Sequence, residues 1–330
     1  MEAHLYSELA RQEDRHWWFQ GRRAVLRSVL DRHLPPPPRR ILDVGCGTGG
    51  NLRLLREFGE VEGLELSDVA LELCRERVGP EIKLRRGAIP GDIPQGGRYD
   101  AVTALDVLEH LDDPVAAVNA IRGALRPGGT LICSVPAFAF LWSSHDEVHH
   151  HRRRYTQPLL RAHLEAGGLR VRWSSYFNTL LFAPIVAARA VGRLRGRTGD
   201  GRGSDLADVP RPLNKALAVL FASERHLLTL ARLPVGVSLV AVAEAVHLEP
   251  GCSTSGGERS RANPRSDQQR HSRRSQPRED VKEDHMGQRG DAAVEVQDQE
   301  PRGARREPAH QDAKRVVGET AEHRDRRRGG

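Results

Sequence analysis

Between residues 40 and 136 the chain alternates short apolar runs with stretches of helical spacing, and this alternation leaves few architectures open. Arg40–Val44 (RILDV) reads as a short buried strand, followed by a glycine turn at 45–50 and helical spacing over 51–58. The pattern then recurs. Strand 61–66 precedes helix 68–78, which Ser67 opens as an N-cap. A weaker strand at 82–86, strand 99–105, helix 114–125 and strand 129–136 follow, the last after the turn Arg126-Pro127-Gly128-Gly129. Strands and helices at this interval predict an α/β fold with a mainly parallel sheet covered by helices on both faces.

The same reading gives helix 158–166, strand 170–176, an apolar helical stretch 178–194, a Gly/Arg/Asp linker 195–209, helix 212–232 and a last strand 237–243. Residues 1–39 read as a helical lid with polar turns around Trp17, Trp18 and Phe19, ended by the stiff run Pro35 to Pro38. After Leu248 there is no Leu, Ile, Phe, Tyr or Trp, so 248–330 cannot bury enough surface to offset its ordering entropy. The expected organisation is a lid at 1–39, a domain at 40–247 whose segment 178–234 is a helical insertion before the last strand, and a disordered polar tail at 248–330.

The formal net charge of +7 invites a nucleic-acid partner, but the tail mixes its arginines with acids and carries no aromatic residue to stack on bases. No nucleic acid is expected. Cys46, Cys74, Cys133 and Cys252 form no CxxC pair, the N-terminus lacks a basic-then-apolar leader, and no run is long and apolar enough to cross a bilayer. A cytoplasmic protein is expected.

The turn Asp43-Val44-Gly45-Cys46-Gly47-Thr48-Gly49-Gly50 leaves room for a ligand at a strand end. Gly45, Gly47 and Gly50 also satisfy the dinucleotide pattern G-x-G-x-x-G. Two features favour a cationic nucleoside over a pyrophosphate: Asp43 stands just before the turn, and no basic residue lies within it. Glu65, at the end of the second strand, suits both hydroxyls of a ribose.

LDVGCGTGGN, GLELS, YDAVTALDVLEHL and LRPGGTLICSVP together resemble, in order and spacing, the motif series of class I S-adenosylmethionine-dependent methyltransferases. They are similar in particular to the small-molecule, ubiquinone-pathway O-methyltransferases. The resemblance implies a Rossmann-like, doubly wound, seven-stranded sheet of order 3-2-1-4-5-7-6 with the final strand antiparallel. It implies S-adenosylmethionine as cofactor. Asp43, Gly45, Gly47 and Gly49 would hold its methionine part, Glu65 the ribose, and Leu66 the adenine, with Leu105 and Asp106 closing over the donor. Gly87-Ala88-Ile89 stands where the family often has an acid for the adenine amino group, so backbone groups of Ala88 and Ile89 are expected to substitute. In the lid, Arg22 is placed to meet the donor's carboxylate.

Methyl transfer needs alignment of donor and nucleophile, exclusion of water, and a base where the nucleophile must lose a proton. His110, after the fourth strand, is the first candidate base; His145 or Asp146, in the segment after the fifth strand, is the second. Arg153, Arg154 and Tyr155 are candidate acceptor contacts, the arginines pairing with a carboxylate or phosphate. Adjacent histidines on an irregular loop do not set ligands on one face, so no metal is expected. Segment 178–195 suits a lipophilic acceptor or a peripheral membrane contact. Two alternatives stay open: an NAD(P)-dependent oxidoreductase, and a donor-binding module without turnover.

Overall fold

The computed structural model describes residues 3–37, 39–194 and 209–245. The expected tail at 248–330, and all but the last residue of the expected linker, lie outside the described residues. Two helices come first, α1 (Ala3–Gln12) and α2 (Trp17–His33). They are followed by β1 (Arg40–Val44), α3 (Leu52–Arg56), β2 (Glu60–Glu65), α4 (Asp68–Val78), β3 (Lys83–Arg86), β4 (Tyr99–Leu105), α5 (Pro114–Ala124) and β5 (Leu125–Pro136). A short α6 (Ser144–Val148), α7 (Gln157–Ala166), β6 (Leu169–Phe177), α8 (Phe182–Leu194), α9 (Arg211–Leu230) and β7 (Ser238–Ala245) complete the described chain.

The strands form one seven-stranded sheet of order β3-β2-β1-β4-β5-β7-β6. Only β7 runs antiparallel, against both β5 and β6. This is the doubly wound, Rossmann-like order that the motif series implied. Period-two alternation sends neighbouring residues to opposite faces. Leu42, Val102 and Leu131 pack with Ala117 and Ile121 of α5 and Leu160 of α7 on one face. Ile41, Ala101 and Ile132 pack with Val25 and Val29 of α2, Leu52 of α3 and Phe221 of α9 on the other.

Local chemistry sets the boundaries. Ser67 caps α4 as expected, accepting from Ala70 N, and Asp113 and Thr156 cap α5 and α7 in the same way. Three boundaries differ from the sequence reading. Trp17, Trp18 and Phe19 lie in the first turn of α2 rather than in a loop, because His16 caps that helix. β5 starts at Leu125, and the Arg-Pro-Gly-Gly turn is absorbed as a bulge between the pairs Tyr99↔Leu125 and Ala101↔Thr130. The segment after β5 is not wholly irregular, since Ser143 and Asp146 form a capping box that starts α6.

The insertion helix α9 docks on α2 through glycine. A Cβ on Gly21 would lie 2.4 Å from Phe221 Cδ1, so the helices approach at a distance that a larger residue would block. Phe221 is fully buried and stacks on Phe177, with ring centroids 6.1 Å apart. Phe221→Ala is expected to lower the unfolding free energy by about 3–5 kcal/mol. A urea titration reads this as a lower midpoint at constant slope, and a loss below about 1 kcal/mol would mean that α9 is not seated on α2 in solution.

Candidate active site

β1, β2 and β4 end level with one another, since Val44 pairs with both Leu64 and Ala104, and the glycine turn opens on that edge. Gly45, Gly47 and Gly49 take φ of +69°, +56° and +84°, a region costly for other residues. The amides of Gly45 and Cys46 donate to Leu64 O at 2.7 and 3.1 Å, stitching the turn onto β2. A Cβ on Gly45 would sit 2.7 Å from Val107 Cγ2, and one on Gly49 2.7 Å from Cys74 Sγ. A Cβ on Gly47 would meet nothing within 4 Å. Two glycines are thus packed, and the third borders open space.

Glu65, at the end of β2, has its carboxylate fixed against the turn. Gly47 N donates to Oε2 at 3.0 Å, and Leu66 N and Ser67 N both donate to Oε1 at 2.9 Å. Lone pairs remain on both oxygens for a vicinal diol. Asp43 lies behind the turn, 2% exposed, and accepts a 2.6 Å hydrogen bond from the Thr103 hydroxyl. Burial raises its pKa to about 7, against the opposing pull of Thr103 and Arg22.

Arg22 reaches this edge from α2. It pairs with Asp106 Oδ2 at 2.7 Å and donates to Ser134 Oγ at 3.0 Å, and the Ser134 hydroxyl donates to Asp106 Oδ1 at 3.0 Å. Ser134 was not singled out from the sequence, although it is the one hydroxyl within the apolar run LICSVP. Leu105 is buried beneath this triangle, and Asp106 adopts φ +59°.

Within the lid, Glu13, the residue after α1, touches the turn, and α1 itself packs on α4. Glu13 accepts from Thr48 Oγ1 at 2.5 Å and pairs with Arg77 of α4, while Tyr6 hydrogen-bonds the Ser67 side chain. A Cβ on Gly50 would come within 2.5 Å of the Glu13 carboxylate carbon. Trp17 instead packs edge-on against Phe221.

At the other rim, Leu66 is 57% exposed. The Ala88 amide is engaged: it donates to Asp92 Oδ2 at 2.7 Å, and Asp92 N donates back to Ala88 O. The acid absent directly after β3 is therefore brought back by Asp92, beyond the Pro90-Gly91 turn. A Cβ on Gly87 would lie 2.6 Å from Asp92 Cβ, so glycine there permits the return.

Beyond β4, Glu109 is fully buried and neither carboxylate oxygen receives a hydrogen bond from another residue. Burial, with Asp106 nearby, pushes its pKa well above the usual carboxylate range. His110 is adjacent, and burial followed by His151 lowers its pKa to about 4.

The segment after β5 is more ordered than expected. Asp146, fully buried at the start of α6, accepts from Ser143 N, from Arg154 Nε and Nη2 at 2.8 and 2.9 Å, and bonds His151 Nδ1 at 2.8 Å. Arg154 Nη1 also donates to Ala137 O. Tyr155 is fully buried, and its hydroxyl donates to Leu108 O at 3.3 Å. Asp146, Arg154 and Tyr155 therefore build the segment from inside, an arrangement that a polar run does not announce. Arg153 remains at the surface side, donating to Asp112 O, and Arg152 pairs with Asp112. His145 packs on His149 with ring centroids 4.1 Å apart, and burial holds its pKa well below the usual value.

A sheet of this order, with an acid-led glycine turn at the end of its first strand and a carboxylate ending its second, is that of a nucleoside-binding methyltransferase domain. The family model described as a methyltransferase domain matches residues 18–178. Residues 18–178 therefore form a methyltransferase domain of the class I S-adenosylmethionine-dependent kind. Curated relatives include a ubiquinone biosynthesis O-methyltransferase of Nitrosospira multiformis, 34% identical over 32% of this chain and 47% of the relative. Another, from Alkalilimnicola ehrlichii, is 41% identical over 29% of this chain and 41% of the relative. The chain thus spans less than half the length of these two. Among solved structures, a chain of a Haloferax volcanii complex between the Trm112 methyltransferase activator and a methyltransferase is 19% identical, with TM-score 0.49 over 75% of this chain and 95% of that one.

Because Asp43 titrates near 7 in the ligand-free protein and would face a cationic ligand when ionised, S-adenosylmethionine is expected to bind more tightly as pH rises. The fraction ionised grows from about one-tenth at pH 6 to about nine-tenths at pH 8, a gain of roughly ninefold in affinity. Calorimetric titration at the two pH values reads it. Asp43→Asn should bind weakly at both, with no such slope.

Proposed function

We propose that this protein transfers the methyl group of S-adenosylmethionine to an oxygen, in preference to a nitrogen or carbon, of a small or lipophilic acceptor. The observation that carries this reading is the Glu65 carboxylate, held by three backbone N–H groups, one of them from Gly47 in the glycine turn. The dinucleotide alternative is disfavoured by the sheet, because β7 stands antiparallel between β5 and β6, whereas dinucleotide folds continue in parallel order 3-2-1-4-5-6.

When bound, S-adenosylmethionine supplies an electrophilic methyl group on a sulfonium. Glu65 would take its ribose hydroxyls, and Asp43, Gly45, Gly47, Gly49 and Arg22 would surround its methionine part. Leu66, Ile89 and the Asp92 carboxylate would flank the adenine, with Asp92 serving where the Ala88 amide is engaged. Leu105 and Asp106 wall the side toward the acceptor. These residues position and exclude water, which is the protein's main task in such a displacement.

The acceptor's proton must also leave. Asp146 is committed to Arg154 and His151, and His145 is packed on His149, so both serve as positioning residues. His110, neutral at pH 7, is the group through which the acceptor hydroxyl loses its proton, by taking it or by holding a cation that acidifies it. Arg153 would pair with an anionic group on the acceptor.

A ring-bearing acceptor is supported by an aromatic cluster past the end of β5. Phe138 stacks on Tyr176 at 4.9 Å, and Phe140 and Phe182 extend the cluster outward. The names of the curated relatives favour oxygen as the atom methylated. Phe140, Leu180 and Val191 are 51%, 41% and 44% exposed around α8, which supports a peripheral lipid contact there. No helix among the described residues is long and apolar enough to cross a membrane.

Two measurements check these assignments. Gly47→Arg should abolish S-adenosylmethionine binding in calorimetry, whereas Arg153→Ala should leave it intact and impair only product formation from a labelled donor. Equal binding by wild type and Gly47→Arg would refute the site map. Phe140→Asp should weaken co-flotation with anionic vesicles about tenfold or more, as expected from about 1.5–3 kcal/mol for burying one large apolar side chain. Unchanged flotation would remove the lipid contact.

A further inference from the structure

We propose that Glu109, His110 and His151 bind a divalent transition-metal ion of the zinc(II) class at the acceptor side of the site. One ligand atom from each of the three lies within 4.8 Å of the other two. The sequence reading expected no metal because neighbouring histidines on one loop do not share a face. The structure brings the ligands from two different segments: Glu109 and His110 follow β4, while His151 follows α6.

Independent observations point to an occupant. Glu109 is fully buried, and neither of its oxygens receives a hydrogen bond from another residue. A buried carboxylate in that state is costly, and a cation removes the cost. The Asp146 carboxylate bonds His151 Nδ1 at 2.8 Å, which leaves Nε2 as the ring nitrogen turned to the cluster's ion. Asp146 is itself held by one edge of the Arg154 guanidinium, through Nε and Nη2. A carboxylate that orients an imidazole from behind is the usual outer support of a metal-ligating histidine. The rings of His110 and His151 meet edge to face at 4.7 Å, and a backbone hydrogen bond ties the two segments together, with Arg152 N donating to Glu109 O at 2.8 Å.

Two imidazoles and one carboxylate suit zinc, manganese, cobalt or iron(II), and three protein ligands leave coordination positions open. Bonds of about 2.1 Å would draw the three atoms to roughly 3 Å apart, a contraction within reach of side-chain rotation. The use of such an ion rests on the methyl-transfer reading. The acceptor's hydroxyl oxygen would take an open position, its proton would pass to solvent, and the resulting oxyanion would displace the neutral thioether as it gains the methyl group.

The test uses the full chain, stripped with a chelator and titrated with Zn2+ and with Co2+. One ion per chain is expected at micromolar affinity, with visible cobalt absorption reporting nitrogen ligation. Glu109→Gln and His151→Ala should each weaken binding by at least tenfold, while His226→Ala on α9 should not. Glu109→Gln, which keeps the shape of the side chain, should leave the melting temperature of the metal-free protein no lower than that of wild type, and this shows that its loss of metal is not loss of fold. Metal binding that is absent, or equal in wild type and both cluster variants, would overturn the proposal. S-adenosylhomocysteine titrated into the same samples separates the two claims: binding without metal affinity sinks the ion alone, and metal affinity without nucleoside binding sinks the methyltransferase reading.

Discussion

The hydrogen bonds to Glu65 hold the site together. A single carboxylate collects an amide from the glycine turn and two from its own strand end, so the tips of β1 and β2 cannot shift independently. The left-handed glycines make this possible by turning the Gly47 amide toward β2. The geometry that would grip a diol thus exists before any ligand arrives, and preorganisation of this kind spares the ordering cost on binding.

The carboxyl end of β4 works on a different principle. Asp43, Asp106 and Glu109 are three acids near the carboxyl ends of β1 and β4, and the fold compensates them unequally. Asp106 has Arg22 and Ser134, and Asp43 has the Thr103 hydroxyl and a raised pKa. Glu109 has no such partner, and burial pushes its pKa well above the usual carboxylate range. Arrangements of this sort are expensive for stability and gather where chemistry is done.

Much of the fold was legible because the apolar runs were short and alternated with helical spacing, and Ser67 announced a helix start. Ser67 and the glycine turn gave element boundaries nearly to the residue, and the four motifs gave the sheet order. What escaped depended on contacts between distant segments. Asp92 became visible only once the chain after β3 turned back on itself. The pairing of His151 with Glu109 and His110 needs the segment after α6 to fold against the β4 loop. Arg154 and Tyr155 look like surface residues in sequence, since their polar ends meet interior partners that no local pattern encodes. α6 was missed for a related reason: it is too short for apolar periodicity, and its capping box was the only local sign.

The seat of the N-terminal segment carries a consequence of its own. Glu13 leans on Thr48 and Arg77, Asp14 reaches the same arginine, and Tyr6 bonds Ser67, so this clasp over the glycine turn is made of charge and hydrogen bonds rather than oil. Ionic strength therefore acts on it unevenly. Salt loosens the exposed Asp14 pair first, while the buried Glu13 pair is shielded from the screening ions. A nucleoside held beneath this clasp would therefore leave at a rate set in part by the ionic composition of the medium.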